Sequence, residues 1–204
     1  MLRSTTGCAP KHHRLCPEAP PAVPRSTTGC APKHHRLCLP KPLHRTDTNG
    51  PSATVTPMLT WHDKAFDELA VHELYAVLAL RSRVFVVEQT CVYLDLDGKD
   101  ERARHLLGVD EAGTLVAYAR IFGPGESYPE TAIGRVVTSP EVRKRGHGEE
   151  LMREAISRAT ARHGRPIRIG AQRYLERFYR RLGFVPEGEP YDEDGIPHVE
   201  MVLP

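Results

Sequence analysis

Beyond residue 57 the chain moves between two hydrophobic periods, and before it shows neither. Leu59–His62 reads as a short strand. Over Val71–Arg81, the positions Leu74, Val77, Leu78 and Arg81 recur at helical spacing on an otherwise polar segment. Val84–Val87 is a short β-branched and aromatic run, and Asp97-Gly98 marks a turn. Three strands are predicted next, Leu106–Asp110, Leu115–Ile121 and Ala132–Thr138, the first two joined by the hairpin-length turn Glu111-Ala112-Gly113-Thr114. Glu149–His163 is predicted as a helix that buries Met152, Ile156 and Ala159, with Leu151 and Ala155 beside them. Gly164-Arg165-Pro166 ends it, because Gly caps a helix C-terminus and Pro blocks continuation. Ile167–Ala171 reads as a strand, Leu175–Leu182 as a short helix stopped by Gly183, and Val199–Leu203 as a last strand. Strands and helices in this order predict one mixed α/β (α+β) layer domain over residues 58–204.

Composition changes the picture mainly for residues 1–57. That segment holds 10 of the 18 prolines, and Arg3–Cys16 and Arg25–Cys38 are the same fourteen residues. It offers too little apolar surface to offset its ordering entropy, which predicts a disordered tail. The identity of the two copies points to recent duplication of coding DNA rather than to a packed repeat. Cys8, His12, His13 and Cys16, with their copies through Cys38, are soft ligands of the kind zinc takes, in a spacing that matches no common structural zinc module. No metal site is therefore assigned. Met58, directly after Pro57, opens the periodic pattern and is expected as a translation start. The tail carries eight Lys/Arg against two acids and the remainder 20 against 24, so the body is mildly acidic and carries no nucleic-acid footprint. With no apolar run long enough for a membrane span and no signal-like start, a cytoplasmic protein with no membrane partner is expected.

The most informative stretch is Ile133–Ile156. A β-branched strand closes at Thr138, and Arg143-Lys144-Arg145-Gly146-His147-Gly148 then leads into the amphipathic helix. Glycines let backbone approach a ligand, and the free N–H groups of a helix start form an anion site. A pyrophosphate suits such a cradle. The Gly-Lys-Ser/Thr of a Walker loop and the three-glycine Rossmann spacing are both missing.

Arg-x-x-Gly-x-Gly after a strand resembles the acetyl-CoA loop of the GNAT superfamily. The segment from Gln172 to Phe184, with Phe178-Tyr179 ahead of Leu182-Gly183-Phe184, resembles that family's second motif, with Gln172 standing where Asn is usual. Arg81-Ser-Arg-Val-Phe-Val-Val-Glu-Gln-Thr-Cys-Val-Tyr, Asp97-Gly98-x-Asp100, His105, Ala117-Tyr-Ala-Arg120, Gly134-Arg135-Val136-Val137 and Glu193-Asp-Gly-Ile-Pro-His198 are similar to its ElaA-like branch. The resemblance implies the acyl-CoA N-acyltransferase fold, a central twisted mixed β-sheet flanked by helices. It implies transfer of acetyl from acetyl-CoA to a small-molecule or peptide amine. Val136, Val137 and Thr138 would bind pantetheine and polarise the thioester, and Arg143, Lys144, Arg145, Gly146, His147 and Gly148, with Gln172, would complete cofactor binding.

Two proton tasks remain. Tyr179 holds the motif position of the acid that protonates the departing thiolate; packing beside Phe178 is its other reading. For the base, Glu88 and His198 stand open. An imidazole has an ordinary pKa of about 6.5, whereas a carboxylate needs its pKa raised or a water to act through. His105 and Cys91 read as structural, Cys91 as a small buried side chain. Asp192-Glu193-Asp194 reads equally as a solvated turn or as an attractor of a cationic amine, and the loop from Gly123 to Glu130 is expected to border the acceptor. The rival functions are an acyl-homoserine-lactone-synthase-like transferase and a non-catalytic acyl-CoA sensor. Oligomeric state is not readable from the sequence.

Overall fold

A computed structural model describes residues 58–204. The duplicated segment, its Cys/His ligand set and the disordered-tail expectation lie outside the described residues. The elements run β1 (Thr60–Ala65), α1 (Val71–Arg81), β2 (Arg104–Val109), β3 (Leu115–Phe122), β4 (Thr131–Thr138), α2 (His147–His163), β5 (Ile167–Gln172), α3 (Glu176–Arg181), β6 (Val185–Glu193) and β7 (Ile196–Leu203). They form one seven-stranded mixed sheet in the order β1-β2-β3-β4-β5-β7-β6. All its pairings are antiparallel except β4 with β5.

Period-2 alternation sorts each strand's side chains between two faces. Ile121, Ile133, Ile167, Ile169, Ala171, Met201 and Leu203 pack with Leu151, Met152, Ala155 and Ala159 of α2 in the main core. On the opposite face Leu107, Tyr118 and Val137 meet Val77, Leu80 and Val84 from the α1 side. The sequence patterning located both helices, though α2 begins at His147, two residues before the predicted Glu149.

Two segments are given no element by the sequence pattern. The β-branched run after α1 does not become a strand: Ser82–Glu88 continues the helix in π geometry, with Gln89 N–H donating to Val84 O and Cys91 N–H to Val86 O, both at 3.2 Å. Burial of Val84 against the second core cluster outweighs local β propensity here. The other segment is β6, exposed along most of its length and rich in Pro and acids, so it carries no apolar alternation to read. It pairs with β7 through a turn at Asp194 (φ 54°) and Gly195 (φ 82°), the left-handed pair that an Asp-Gly hairpin turn requires.

The α1 face also holds buried charge. Arg81 is fully buried; its Nε donates to Asp95 Oδ2 at 2.8 Å and its Nη1 to Asp100 Oδ1 at 2.7 Å. Arg120 Nη1 donates to Asp97 and Asp100 at 2.8 Å each, and Nη2 to Asp97 at 2.6 Å. His105, also fully buried, bridges the Asp100 carbonyl (3.0 Å) and the Tyr118 hydroxyl (2.8 Å) and is structural. Burial pushes its imidazole pKa down, which favours the neutral form. Removing one partner from such a set strands a buried charge, at a cost of about 3–5 kcal/mol.

Burial raises the carboxyls of Asp97 and Asp100, but hydrogen bonds and charge from Arg120, joined at Asp100 by Arg81, outweigh it, and both end below the ordinary carboxylate value. Their contribution to stability is therefore complete above the unfolded pKa of about 3.9. It is lost as pH falls from there toward the depressed folded values. Thermal melts from pH 7 to 3 should show a steep loss of Tm below about pH 4. Asp97→Asn should flatten that loss; an equal acid slope in native protein and variant would remove Asp97 as a source.

Candidate active site

Strands β4 and β5 are joined by only two register pairs, Thr131↔Ile167 and Ala132↔Arg168, and then part. From Gly134 onward the β5 side of β4 has no strand partner. The register of β4 against β3 slips in the same stretch: Tyr118 opposes Val137 but Arg120 opposes Gly134, so Arg135 and Val136 share one position. Arg135 sits at φ 50° within this bulge, a left-handed conformation that a non-glycine residue adopts at a steric cost. The bulge bends β4 away from β5 and leaves its backbone hydrogen-bonding groups facing a gap.

The gap is a cleft of about 760 Å³. Glu88, Val136, Val137, Thr138, Arg143, Gln172, Tyr179 and His198, all expected from the sequence, line it together. Ser127 and Tyr128, from the loop expected to border the acceptor, line it as well. Lys144, Arg145, Gly146, His147 and Gly148 lie beyond its lining, at the start of α2. There Gly146 takes φ 89° at the cap position and no side chain caps the helix. A Cβ placed on Gly146 or Gly148 would meet nothing within 4 Å, so the approach to these first N–H groups is open. His147 is buried, and its Nδ1 lies 3.2 Å from Glu150 Oε2; only its backbone faces the cradle. Lys144 and Arg145 are exposed.

Tyr179 is buried among aromatic rings, edge-on to Phe178 at 5.0 Å and to Phe184 at 6.0 Å, yet reaches the cleft wall. Burial pushes its phenol up to about 12, so it remains protonated through neutral pH. His198 is buried on β7, opposite Gln172 of β5. Its Nδ1 lies 2.7 Å from Ile196 O, a carbonyl that can only accept, so Nδ1 carries the proton and Nε2 keeps a lone pair. Nε2 is 3.9 Å from Glu193 Oε2, and the ring stacks on Tyr191 at 5.9 Å.

Glu88 lacks the raised pKa that direct proton abstraction calls for, which leaves action through a water as its route to the base role. Arg143 grips it with bonds of 2.5 and 3.0 Å and holds the carboxyl below its ordinary value. Gln172 is likewise engaged: it exchanges amide bonds with Gln89 at 3.1 and 3.5 Å, linking β5 to the π-helical segment. Cys91 is buried; its Sγ donates to Asp194 O at 3.5 Å, which ties the hairpin tip to the same segment.

The sequence reading placed Arg120, Arg135 and Tyr93 within matching motifs without giving them a role, and all three line the cleft. A signal for two of them was present, since Arg120 and Arg135 interrupt strands that are otherwise apolar. Among the described residues no group of three or more His, Cys, Asp or Glu is placed to hold a metal, and no helix is long and apolar enough to cross a membrane.

Residues 84–204 match a family described as acetyltransferase (GNAT) domain. The protein ElaA of Escherichia coli K12 is 44% identical over 147 residues, which covers 71% of this chain and 95% of ElaA. The crystal structure of E. coli ElaA superposes with a TM-score of 0.68 at 42% identity, over 72% of this chain and all (100%) of that one. An acyl-CoA N-acyltransferase from Pseudomonas aeruginosa gives a TM-score of 0.67 at 40% identity, over 72% and 99%.

Proposed function

Because the chain belongs to the acetyltransferase (GNAT) family, we propose that it carries an acetyl group from acetyl-CoA directly to an amine, in the cytoplasm and without a metal. The observation that carries this reading is the parting of β4 from β5, with Tyr179 and His198 lining the same opening.

Pantetheine lies along the unpaired edge of β4, and N–H groups near Val136 and Val137 polarise the thioester carbonyl. Such donors are preorganised by the strand, so they stabilise the developing oxyanion without rearranging. The pyrophosphate sits at the open N–H groups of α2, with Arg143, Lys144 and Arg145 around it. The amine gives up its ammonium proton to His198 Nε2 and attacks the acetyl carbon. As the C–S bond breaks, the sulfur takes the proton of Tyr179, whose raised pKa keeps that proton in place until a thiolate forms, and the phenolate takes up the second proton that the nitrogen sheds as it becomes an amide. Glu88 is assigned to Arg143 rather than to the proton transfer.

Tyr179→Phe should lower kcat by about 10–100-fold with the acetyl-CoA Kd unchanged. The assay is free-thiol release beside calorimetric binding, and native turnover in the variant would end the acid role. His198→Gln should lower kcat with the acetyl-CoA Kd unchanged. Native turnover in the variant would send the base role elsewhere.

Arg143 can hold either Glu88 or a phosphate. Glu88→Gln should therefore tighten acetyl-CoA binding a few-fold, and Arg143→Ala should weaken it about tenfold, both effects shrinking in high salt. Equal Kd values for all three proteins would detach the pair from the cofactor. Repeating the thiol-release assay with a long-chain acyl-CoA separates acetyl transfer from the transfer of larger acyl groups.

A further inference from the structure

One wall of the cleft carries more positive charge than its own carboxylates offset. Arg81 and Arg120 take the strong bonds of Asp95, Asp97 and Asp100. Arg135 makes only long hydrogen bonds, its Nη2 reaching Asp95 O at 3.4 Å and Asp97 Oδ2 at 3.5 Å. Its Nε lies 2.8 Å from Asp95 Oδ1 without hydrogen-bond alignment. Lys99, on the same wall, makes no ion pair among the described residues; Lys99, Arg120, Arg135 and Asp97 line the cleft, while Arg81, Asp95 and Asp100 lie behind it, so the set as a whole holds four cations to three carboxylates. The Arg135 guanidinium packs over the Tyr93 ring at 5.8 Å, which holds it in place on the cleft wall. The facing wall has the opposite sign: Glu193, Asp194 and His198 come from the β6–β7 hairpin.

The backbone supports the same assignment. Arg135 holds its left-handed φ of 50° one residue before Val136, where the thioester would lie. Strain at a site of this kind persists where it aims a side chain.

We propose that the acceptor is a small amino acid zwitterion, its carboxylate seated on Arg135 and Lys99 and its amine turned toward His198 and Glu193. This deepens the acetyl-transfer reading and rests on it. A planar guanidinium suits a carboxylate through paired N–H donors, and a nearby ammonium supplies a second charge. The separation between walls of opposite sign favours a molecule that is itself split in charge over a bare amine, which leaves the Arg135 Nη donors with only their long bonds.

The test compares matched acceptors that differ by the carboxylate: glycine with methylamine, β-alanine with ethylamine, γ-aminobutyrate with propylamine. Thiol release from acetyl-CoA gives kcat/KM for each. At least one amino acid should exceed its amine by about tenfold or more, and Arg135→Met should bring that ratio close to one through KM, with Arg135→Lys restoring part of it. Should Arg135→Met melt far below native protein, Lys99→Met in the loop before β2 carries the test, and the ratio must fall there too. Transfer to bare amines at equal or higher efficiency overturns the inference and leaves acetyl transfer standing. Absence of saturable acetyl-CoA binding overturns the acetyl-transfer reading, and this inference with it. Calorimetric titration of the amino acids into CoA-saturated protein should give a saturable heat that disappears in Arg135→Met; no heat in native protein also overturns it.

Discussion

A parallel strand pair that holds for two residues and then lets go is the constraint from which the rest of this molecule follows. Backbone N–H and C=O groups left without partners in a folded core are costly, so a strand does not part from its neighbour without something to fill the gap. Here the bulge at Arg135 and Val136 supplies the bend, and the antiparallel ladder to β3 on the other side keeps β4 rigid as it turns. The opening faces the helix start of α2 at one end and the β6–β7 hairpin at the other.

The charged set under α1 lies behind the cleft and reaches its lining through Arg120. Arg81, Asp95, Asp100, Arg120 and His105 are all buried, and they come from a helix, a loop and two strands that no local interaction would bring together. Each bond specifies one arrangement of the segment from Ser82 to Asp100, which has little apolar burial of its own. Leu94, Leu96, Val87 and Val92 all stay exposed along it. Ion pairs of this kind serve specificity of shape more than net stability.

Much of the fold was legible because its signals are periodic. The apolar stripes of α1 and α2 and the β-branched runs of β3 and β4 decide their own structure, and Gly164 and Gly183 stop what precedes them. The π-helical segment was not legible, because Val84-Phe85-Val86-Val87 has the composition of a strand and only contacts with distant residues make it helical. Strand β6 escaped for the reverse reason: Val185–Glu193 has polar, proline-containing chemistry and gains its place from β7 alone. At the candidate site the sequence supplied the residue types and the structure supplied their availability. Glu88 and His198 both stood open as bases in the sequence; in the structure Arg143 holds the first, while the second donates from Nδ1 to Ile196 O and has Glu193 3.9 Å from Nε2.

The polar character of β6 has a consequence beyond the cleft. It is the outermost strand of the sheet, and an open strand edge is a template on which another chain can add. Pro186 and Pro190 remove two donors from that edge, while Glu187, Glu189, Asp192 and Glu193 would confront the same charges on a second copy. The hairpin can thus stand free at the rim of the sheet without recruiting its own kind into fibres, and the mouth it borders stays uncovered.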